Sequence, residues 1–494
     1  MAMDTEIATD FEVVIGLEVH AQLLTKSKMF CSCSTDYAYA APNTHVCPIC
    51  MGMPGVLPVI NQQAVAYTIM TALALNCTIP EYSKFDRKNY PYPDLMKGYQ
   101  ISQYDVPLSK NGYLMIEHNG QTKRIGITRV HLEEDTARLL HYDGYSLVDI
   151  NRSGTPLIEI VSEPDIRSPE EARLYMQKLR EILVYLGVSS GRMEEGSLRC
   201  DANISVRPRG QQKLGVKTEV KNMNSFRSVE RALAYEAQRQ IELLRTGQPI
   251  LQETRGWIET KGITVPQRSK EYAHDYRYFP EPDLPPLLIS RAWIEELQAQ
   301  LPELPDARRI RYMDQYGLSA QDVNILTEEK ALGDYFEQVV AASQTDNPKI
   351  RAKAAANLVL NDVVRLLKAN SISIEESRLS PAASANLLDL LDKERITGRQ
   401  AKEVLEEAFT SGKMPETIIK EKGFEPPIND QGALERIIEE VIANNSKAAN
   451  DYRAGKTNAL QALIGQVMKQ TRGQAKADIV RTILRTKLDE TASS

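Results

Sequence analysis

The sequence reads Ser197-Leu-Arg-Cys-Asp-Ala-Asn-Ile-Ser-Val-Arg207 at its most regular point. Polar and apolar side chains alternate at every position, and this period of two predicts a β-strand with one polar and one apolar face. The polar face carries Arg199, Asp201, Asn203, Ser205 and Arg207. A half-exposed antiparallel strand has the same pattern, so this face alone does not indicate a function.

A second predicted strand, Phe11–Leu24, places Glu18, His20 and Gln22 on one face and apolar residues on the other. Arg124–Asp135 and Leu157–Val161 are further strand candidates with less regular patterns.

A helix is expected between these strands and the regular one. It begins at Ser168-Pro-Glu-Glu171, with Pro at the first helical position, and ends near Gly187. The first part of the chain is therefore predicted to be a mixed α+β domain.

The 494 residues suggest about three domains. All His, Cys and Trp residues precede position 294, after which the chain is rich in Ala, Leu, Glu and Lys and helical in pattern. Pro-rich Phe279–Pro286 precedes this change, and Gly423–Asp430 forms a second break. We predict a domain over residues 1–295 and all-α domains over 296–425 and 426–494.

The composition, with 42% hydrophobic and 26% charged residues, excludes a mainly disordered, collagenous or membrane-spanning chain. We find no signal peptide or transit segment before Phe11 and expect a cytoplasmic protein. The net charge of -6 gives no global attraction for nucleic acid, so an RNA-binding surface must be local. Residues 447–494 carry nine basic and four acidic residues, which suits such a surface, although a solvated helix looks the same.

Four of the six cysteines lie within twenty residues, as the pairs Cys31-Ser-Cys33 and Cys47-Pro-Ile-Cys50. Without a secretory signal, this spacing favours a structural Zn²⁺ site with four thiolate ligands over disulfides. The alternative is two pairs of ordinary thiols in a loop-rich hairpin. Cys77 and Cys200 lie on apolar faces and are expected in the core.

Acidic residues recur in the strand-like segments of the first domain. Glu159 interrupts the apolar run Pro156–Val161, where a carboxylate is costly unless it is paired or metal-bound. Carboxylates with an imidazole suit a divalent ion, and Mg²⁺ is commonly shared with nucleotide phosphates. The residues that fit this chemistry are Glu18, His20, Glu133, Glu134, Asp135, Glu159 and Asp201, with Lys84–Tyr90, Arg199 and Arg207 as basic groups for phosphate.

Two common enzyme motifs are missing. The sequence has no Walker A loop, since Asn450 stands where the leading Gly before Ala454-Gly-Lys-Thr457 should be. It also has no Gly-x-Ser-x-Gly elbow and no convincing Ser/His/Asp arrangement.

Several long strings, taken together, resemble the GatB family, the B subunits of the aspartyl/glutamyl-tRNA amidotransferases GatCAB. The resemblance covers essentially the whole chain. Its strings are Val14-Ile-Gly-Leu-Glu-Val-His20, Lys84-Phe-Asp-Arg-Lys-Asn-Tyr90, His131-Leu-Glu-Glu-Asp135, Val148-Asp-Ile-Asn-Arg-Ser-Gly-Thr-Pro-Leu-Ile-Glu-Ile160, Met193-Glu-Glu-Gly-Ser-Leu-Arg-Cys-Asp-Ala-Asn203, Asp275-Tyr-Arg-Tyr-Phe-Pro-Glu-Pro282 and Gly465-Gln-Val-Met-Lys469.

The resemblance implies a fold and a reaction. The fold would be a cradle domain with a mixed sheet, a helical domain and a YqeY-like tail that grips tRNA. The reaction would convert Glu-tRNA(Gln) to Gln-tRNA(Gln), or Asp-tRNA(Asn) to Asn-tRNA(Asn). ATP would first phosphorylate the acyl carboxylate, and ammonia would then displace phosphate. GatA would release the ammonia from glutamine, and GatC would clamp the subunits together.

The resemblance also assigns roles to individual residues. His20, Glu134 and Glu159 would be Mg²⁺ ligands, with Glu18 and Asp201 close by in the catalytic site. Lys88 and Arg199 are extrapolated as partners of the ATP phosphates. Cys31, Cys33, Cys47 and Cys50 would hold a structural Zn²⁺ that takes no part in the chemistry.

Two other functions remain open from the sequence. The chain is alternatively a zinc-stabilised tRNA-binding scaffold whose catalysis lies in a partner, or a free-standing metal-dependent hydrolase. The sequence does not decide between Gln-tRNA and Asn-tRNA as the product.

Overall fold

The computed structural model describes residues 10–267, 276–344, 347–424, 431–454, 456, 458–471, 474–475 and 477–490 of the chain. It consists of two compact units, Met1–Pro305 and Asp306–Ser494. Three features of the sequence fall wholly or partly outside the described residues: Asp275 in one of the quoted strings, residues 425–430 of the second predicted break, including Pro426-Pro427, and part of the basic segment 447–494, including Arg472 and Lys476.

The first unit combines strands and helices, and the predicted α+β class is confirmed. Its helices are α1 (Gln62–Ala74), α2 (Pro169–Tyr185), α3 (Phe226–Arg245) and α4 (Arg291–Ala299), with a short 3₁₀ turn at Ile150–Arg152. Its strands are β1 (Phe11–Gln22), β2 (Tyr82–Ser83), β3 (Asp86–Asn89), β4 (Tyr99–Ser102), β5 (Ser109–His118), β6 (Gln121–Glu134), β7 (Arg138–Tyr142), β8 (Tyr145–Asp149), β9 (Pro156–Ser162), β10 (Leu198–Pro208), β11 (Thr218–Lys221), β12 (Thr254–Ile258), β13 (Ile263–Pro266), β14 (Phe279–Pro280) and β15 (Leu287–Leu288).

The main sheet has the strand order β13-β12-β11-β10-β1-β9-β6-β5. Its neighbours are antiparallel except β11 and β12, which run parallel, so the sheet is mixed. The small sheets are β14-β3-β4, β15-β2 and the β7-β8 hairpin. The four strands predicted from the sequence are β1, β6, β9 and β10, and all four are neighbours in the sheet, in the order β10-β1-β9-β6.

The apolar face of this sheet forms the core of the unit. Leu17, Val19 and Ala202 are fully buried in one hydrophobic cluster with residues of α1, α2 and α3. Burial of each large apolar side chain contributes about 1.5–3 kcal/mol. Helix α2 begins as predicted, because the Ser168 hydroxyl accepts a hydrogen bond from the Glu171 N–H and Pro169 opens the helix.

The strand register collects polar residues on the opposite face. His20 on β1 lies opposite Glu159 on β9 and Arg199 on β10, and Glu18 lies opposite Asp201. On its other side, Glu159 lies opposite His131 on β6. Because opposed residues point to the same face, the acidic and basic groups of four strands meet there.

The second unit is helical where it is described. Its helices are α5 (Pro305–Tyr316), α6 (Ala320–Glu328), α7 (Lys330–Ala342), α8 (Pro348–Asn357), α9 (Val364–Asn370), α10 (Pro381–Asp392), α11 (Gly398–Ser411), α12 (Pro415–Lys422), α13 (Gln431–Asn444), α14 (Ser446–Arg453), α15 (Asn458–Gln470) and α16 (Ala477–Glu490), with a π-helical turn at Leu358–Val363. It contains two separate hydrophobic clusters, whose buried members run from Tyr312 to Ile418 and from Leu434 to Leu488.

Candidate active site

His20, Glu133 and Glu159 form a compact cluster on the polar face of the main sheet. His20 Nε2 lies 3.5 Å from Glu133 Oε1 and 3.3 Å from Glu159 Oε2. One ligand atom from each residue lies within 4.8 Å of the other two. Both carboxylates are buried, and the imidazole is partly exposed. The pairing of β1 with β9 thus brings His20 and Glu159 together.

The third member of the cluster is Glu133, whereas the sequence prediction named Glu134. Consecutive residues of a strand point to opposite faces, so these two carboxylates cannot both face His20. Glu134 pairs with Lys97, and its Oε1 accepts a hydrogen bond from the Ile101 N–H at 3.0 Å. The structure therefore does not bring Glu134 together with His20 and Glu159, and Glu133 takes its place.

The charges of this cluster stabilise one another. Burial disfavours the imidazolium of His20, but the hydrogen bond and charge of Glu159 and the charge of Glu133 outweigh it and raise its pKa to about 9. Burial also opposes the Glu159 carboxylate, yet His131 and His20 hold its pKa well below the usual value. Burial raises the pKa of Glu133.

His131 is a fourth polar group at the cluster. Its Nε2 lies 3.7 Å from Glu159 Oε2 and 3.9 Å from Glu133 Oε2. Burial lowers its pKa to about 4, so it is neutral at pH 7. Its Nδ1 is buried, and no described residue forms a hydrogen bond with it.

The donor set fits a divalent ion. Two carboxylates and one imidazole supply three oxygen and nitrogen ligands, and Mg²⁺ usually completes six-coordination with waters and substrate phosphates. Two buried carboxylates this close need a positive charge near them, and the protonated His20 supplies it here; a bound metal ion would take over that task, with His20 as a neutral imidazole ligand.

Lys88 on β3 is the basic residue of this site that is best suited to bind a phosphate group. Burial disfavours its charge, but Glu133, Tyr278 and Glu159 outweigh it and raise its pKa. The ammonium lies 5.0 Å from the centre of the Tyr276 ring and 5.9 Å from that of Tyr90. Among the described residues, no carboxylate oxygen lies within 4 Å of it, so its charge is available to an anion.

Arg199 is held by a buried carboxylate. Its Nη2 lies 2.9 Å from Asp135 Oδ2, which also accepts a hydrogen bond from Gln22 Nε2 at 2.7 Å. Burial opposes the charge of Asp135, but Arg199 and Arg152 lower its pKa. The structure thus places Arg199 beside the cluster with part of its charge already neutralised.

Glu18 and Asp201 lie next to the cluster and outside it. Glu18 Oε1 accepts a hydrogen bond from Asn203 Nδ2 at 2.9 Å, and Asp201 Oδ2 lies 2.5 Å from Lys221 Nζ. Asp201 is close enough for its charge to contribute to the raised pKa of His20. The two residues extend the polar face toward β11.

The four clustered cysteines meet in space. The Sγ atoms of Cys31, Cys33, Cys47 and Cys50 lie within 4.8 Å of one another, and none forms a disulfide. The Cys47 N–H donates to Cys50 Sγ at 3.1 Å. A hydrogen bond from Cys31 lowers the pKa of Cys50 to about 4. Four thiol groups at this separation fit one tetrahedral Zn²⁺.

From the sequence, Glu133 was only one of several acidic candidates, and His131, Tyr276 and Tyr278 were given no role. Glu133 and His131 share a face because they are two residues apart, and this spacing within His131–Asp135 is the signal that could have selected Glu133. Tyr276 and Tyr278 are almost two hundred residues from Lys88, and no local pattern connects them.

Among the described residues, no helix is long and apolar enough to span a membrane. The family model described as the GatB/GatE catalytic domain matches residues 13–295, and that described as the GatB domain matches residues 334–488.

Three curated relatives are each named as the B subunit of an aspartyl/glutamyl-tRNA(Asn/Gln) amidotransferase. The protein of Carboxydothermus hydrogenoformans is 57% identical over 97% of this chain and 99% of its own length. That of Moorella thermoacetica is 55% identical over 97% of this chain and 100% of its own. That of Caldicellulosiruptor saccharolyticus is 53% identical over the same shares.

Proposed function

The chain belongs to the GatB family of tRNA amidotransferase B subunits, and we propose that it carries the site at which a misacylated tRNA is amidated. The substrate is Glu-tRNA(Gln), Asp-tRNA(Asn) or both, and the products are Gln-tRNA(Gln) and Asn-tRNA(Asn). The observation that carries the proposal is the His20, Glu133 and Glu159 cluster beside Lys88, because it joins a divalent-ion site to a free cation.

The chemistry requires activation, since a carboxylate is a poor acyl donor. In the first step, a carboxylate oxygen of the aminoacyl side chain attacks the γ-phosphorus of ATP, which releases ADP and forms an acyl phosphate. In the second step, the nitrogen of ammonia attacks the carbonyl carbon. The carbon–nitrogen bond forms, the bond from carbon to the phosphate oxygen breaks, and inorganic phosphate leaves with the proton that the nitrogen loses.

Each residue of the site has a proposed task in this reaction. His20, Glu133 and Glu159 hold Mg²⁺, which supplies neutralisation of phosphate charge when bound. Lys88 and Arg199 contact phosphate oxygens of ATP. Glu18 and Asp201 lie beside the cluster on the same face of the sheet. Their carboxylates would orient the incoming ammonia or a water molecule. The neutral His131 packs against both ligand carboxylates and helps to hold them in place.

Other parts of the reaction are assigned to partners. We propose a heterotrimer with GatA, which hydrolyses glutamine to ammonia and glutamate, and GatC. The sequence offers no hydrolase nucleophile of its own, which agrees with this division of labour. We also propose that the complex is cytoplasmic and that this chain consists of three domains, at residues 1–295, 296–425 and 426–494.

The decisive experiment is a transamidation assay with the reconstituted heterotrimer. Glu-tRNA(Gln) and Asp-tRNA(Asn) are supplied separately with ATP, Mg²⁺ and glutamine, and the amidated aminoacyl group is quantified after deacylation. We expect amide formation on at least one tRNA, dependent on ATP and Mg²⁺. ATP cleavage unaffected by Glu159→Gln would instead favour a tRNA-binding scaffold, and turnover by this chain alone would favour a free-standing hydrolase.

The cysteine cluster is proposed to bind one structural Zn²⁺. Cys47→Ser is expected to lose the metal and to lower the melting temperature by several degrees, since each kcal/mol of lost stability shifts a domain of this size by about 2–4 °C. Elemental analysis and calorimetry measure both quantities. Cys77→Ser is the matched control, because Cys77 is a free cysteine outside the cluster. Zinc-free protein that melts like wild type would rule out a stabilising metal.

A further inference from the structure

The loop of residues 47–58, which carries the second cysteine pair, packs closely against Lys97. Gly52 in this loop has a φ of +66°, and a Cβ placed there would lie 2.6 Å from Lys97 Cγ and 3.1 Å from its Cα. Real Cβ atoms do not approach other heavy atoms at 2.6 Å. Glycine is therefore required at position 52 both by the backbone conformation and by the contact with Lys97.

Lys97 in turn holds Glu134, the last residue of β6. Its ammonium pairs with Glu134 Oε1, and both side chains are largely buried. Removing one member of such a pair is costly because the other is left as a buried, less compensated charge. The position of Lys97 therefore influences where the end of β6 lies.

The end of β6 also carries Glu133, and β4 fixes both residues. The Ile101 N–H donates to the Glu134 carboxylate, Gln100 Nε2 donates to the Glu134 carbonyl at 2.8 Å, and Ser102 Oγ donates to Glu133 Oε2 at 3.3 Å. Groups that orient a metal ligand through hydrogen bonds typically change metal affinity by about 10–100-fold when they are removed.

A second contact joins the same loop to the other acidic strand. Cys50 packs against Gly154, where a Cβ would lie 3.7 Å from Cys50 Cβ. The Gly154 N–H donates to the carbonyl of Asp135 at 2.9 Å, just after β6, and Pro156 opens the strand that carries Glu159. The cysteine loop thus contacts the segments at one end of both strands that carry the acidic ligands, β6 and β9.

We propose that Lys97 is a positioning residue of the amidation site. The contact with Gly52 of the cysteine loop fixes the Lys97 side chain, and Lys97 fixes the end of β6 through its pair with Glu134. The end of β6 in turn orients Glu133 toward the divalent ion. The proposal rests on the proposed metal site at His20, Glu133 and Glu159. In this proposal the cysteine loop acts on that site indirectly, without contacting the reacting groups.

A cavity of about 230 Å³ beside this contact determines what a mutation would do. Gly52, Lys97 and Glu134 all line it. A Cβ at position 52 would push the Lys97 side chain out of its present position, and this space can receive it, so the pair with Glu134 is disturbed while the core of the domain stays packed.

The test compares Gly52→Ala with Gly55→Ala in the reconstituted heterotrimer. Gly55 belongs to the same loop and has a φ of +84°, but a Cβ there would meet nothing within 4 Å. Both variants carry the backbone strain of a side chain at positive φ, and only the first disturbs Lys97. Mn²⁺, measured by its electron paramagnetic resonance signal, serves as the probe ion, with zinc content and melting temperature recorded in parallel.

We expect Gly52→Ala to weaken Mn²⁺ binding about tenfold, with a raised KM for Mg²⁺ and a nearly recovered kcat at high Mg²⁺. Gly55→Ala should stay within about twofold of wild type, as the strain alone does not reach Glu134. Equal Mn²⁺ affinity in the two glycine variants would overturn the proposal.

Lys97→Met and Lys97→Arg decide the question if Gly52→Ala does not fold. Met removes the charge and should reproduce the loss of Mn²⁺ affinity, while Arg keeps the pair with Glu134 and should restore most of it. Identical affinity in these two variants would also refute a positioning role. Wild-type protein that binds no Mn²⁺ would refute the metal site itself, which is a different outcome.

Discussion

Glu159→Gln is expected to lower ATP-dependent amide formation by about 10³-fold or more. A bound metal ion stabilises developing charge in a phosphoryl-transfer transition state by several kcal/mol, and each 1.36 kcal/mol corresponds to a factor of about ten in rate. The substitution is nearly isosteric, and it removes the anionic ligand that His20 and His131 face. The measurement is single-turnover amidation of the accepted tRNA at saturating ATP.

The control for this variant is the glutaminase reaction of the partner subunit. The proposed ammonia-producing site lies in GatA, so basal glutamine hydrolysis by the heterotrimer should persist in Glu159→Gln. Near-normal amidation at limiting Mg²⁺ would show that Glu159 does not hold the ion.

The neighbouring pair Glu133→Gln and Glu134→Gln separates the two faces of β6. Glu133→Gln should behave like Glu159→Gln, with a loss in kcat that added Mg²⁺ does not repair. Glu134→Gln should mainly raise the KM for Mg²⁺, because Glu134 acts through the strand and not on the ion. The reverse order of severity would favour the ligand set expected from the sequence.

Alternation along the chain was sufficient to predict β1 and β10. Every second residue is polar from Arg199 to Arg207 in β10 and from Glu18 to Gln22 in β1, so the phase of the pattern fixes which face is buried. The burial of the apolar residues of β10, Leu198, Cys200 and Ala202, confirms this phase. The pairing of His20 with Glu159 then follows from the register of β1 and β9.

The choice between Glu133 and Glu134 illustrates what a sequence pattern leaves undecided. The register of β6 against β9 shifts between Ile127 and Arg129, so the phase of its first half does not extend to its end. Both residues at that end are acidic and both are buried, one facing His20 and the other Lys97. The pairing of His131 with Glu159 puts Glu133 on the face of His20, and the contact of Glu134 with Lys97 confirms that Glu134 lies on the other.

The surroundings of Lys88 could not be predicted for a different reason. The ring of Tyr276 lies near its ammonium because β14 pairs with β3, and the amide of Asn89 donates to the Tyr276 carbonyl. These contacts join segments separated by almost two hundred residues. Such long-range pairing leaves no periodic signal in either segment.

The last helices, α13–α16, are expected to contribute tRNA affinity and not chemistry. They have a hydrophobic cluster of their own, so their removal should leave the rest of the chain packed. Lys447, Lys469 and Arg485 are exposed there, and among the described residues no carboxylate lies within 4 Å of their charged groups. Unpaired exposed cations on helices suit contacts with RNA phosphates, which position a substrate without reading its bases.

A chain ending at Gly423 should still assemble with GatA and GatC and hydrolyse glutamine at a basal rate. Its KM for tRNA should rise strongly, while kcat at saturating tRNA stays comparable, because the proposed reacting groups all lie in the first unit. Loss of assembly or of kcat would show that the removed helices serve the structure or the chemistry.

The salt dependence of tRNA binding distinguishes specific phosphate contacts from the general effect of removing charge. Each phosphate contact releases counterions, so the slope of log K against log salt falls by about 0.7–0.9 for every such contact that a substitution removes. Replacing Lys447, Lys469 and Arg485 together by Ala should therefore flatten the slope by about 2–3. Lys353→Ala with Lys402→Ala is the control, since these exposed lysines of the same unit lie outside α13–α16. If the slope of log K against log salt changed equally per removed charge in both variants, the last helices would attract tRNA no more than the rest of the unit does. Their basic residues would then be ordinary solvated groups.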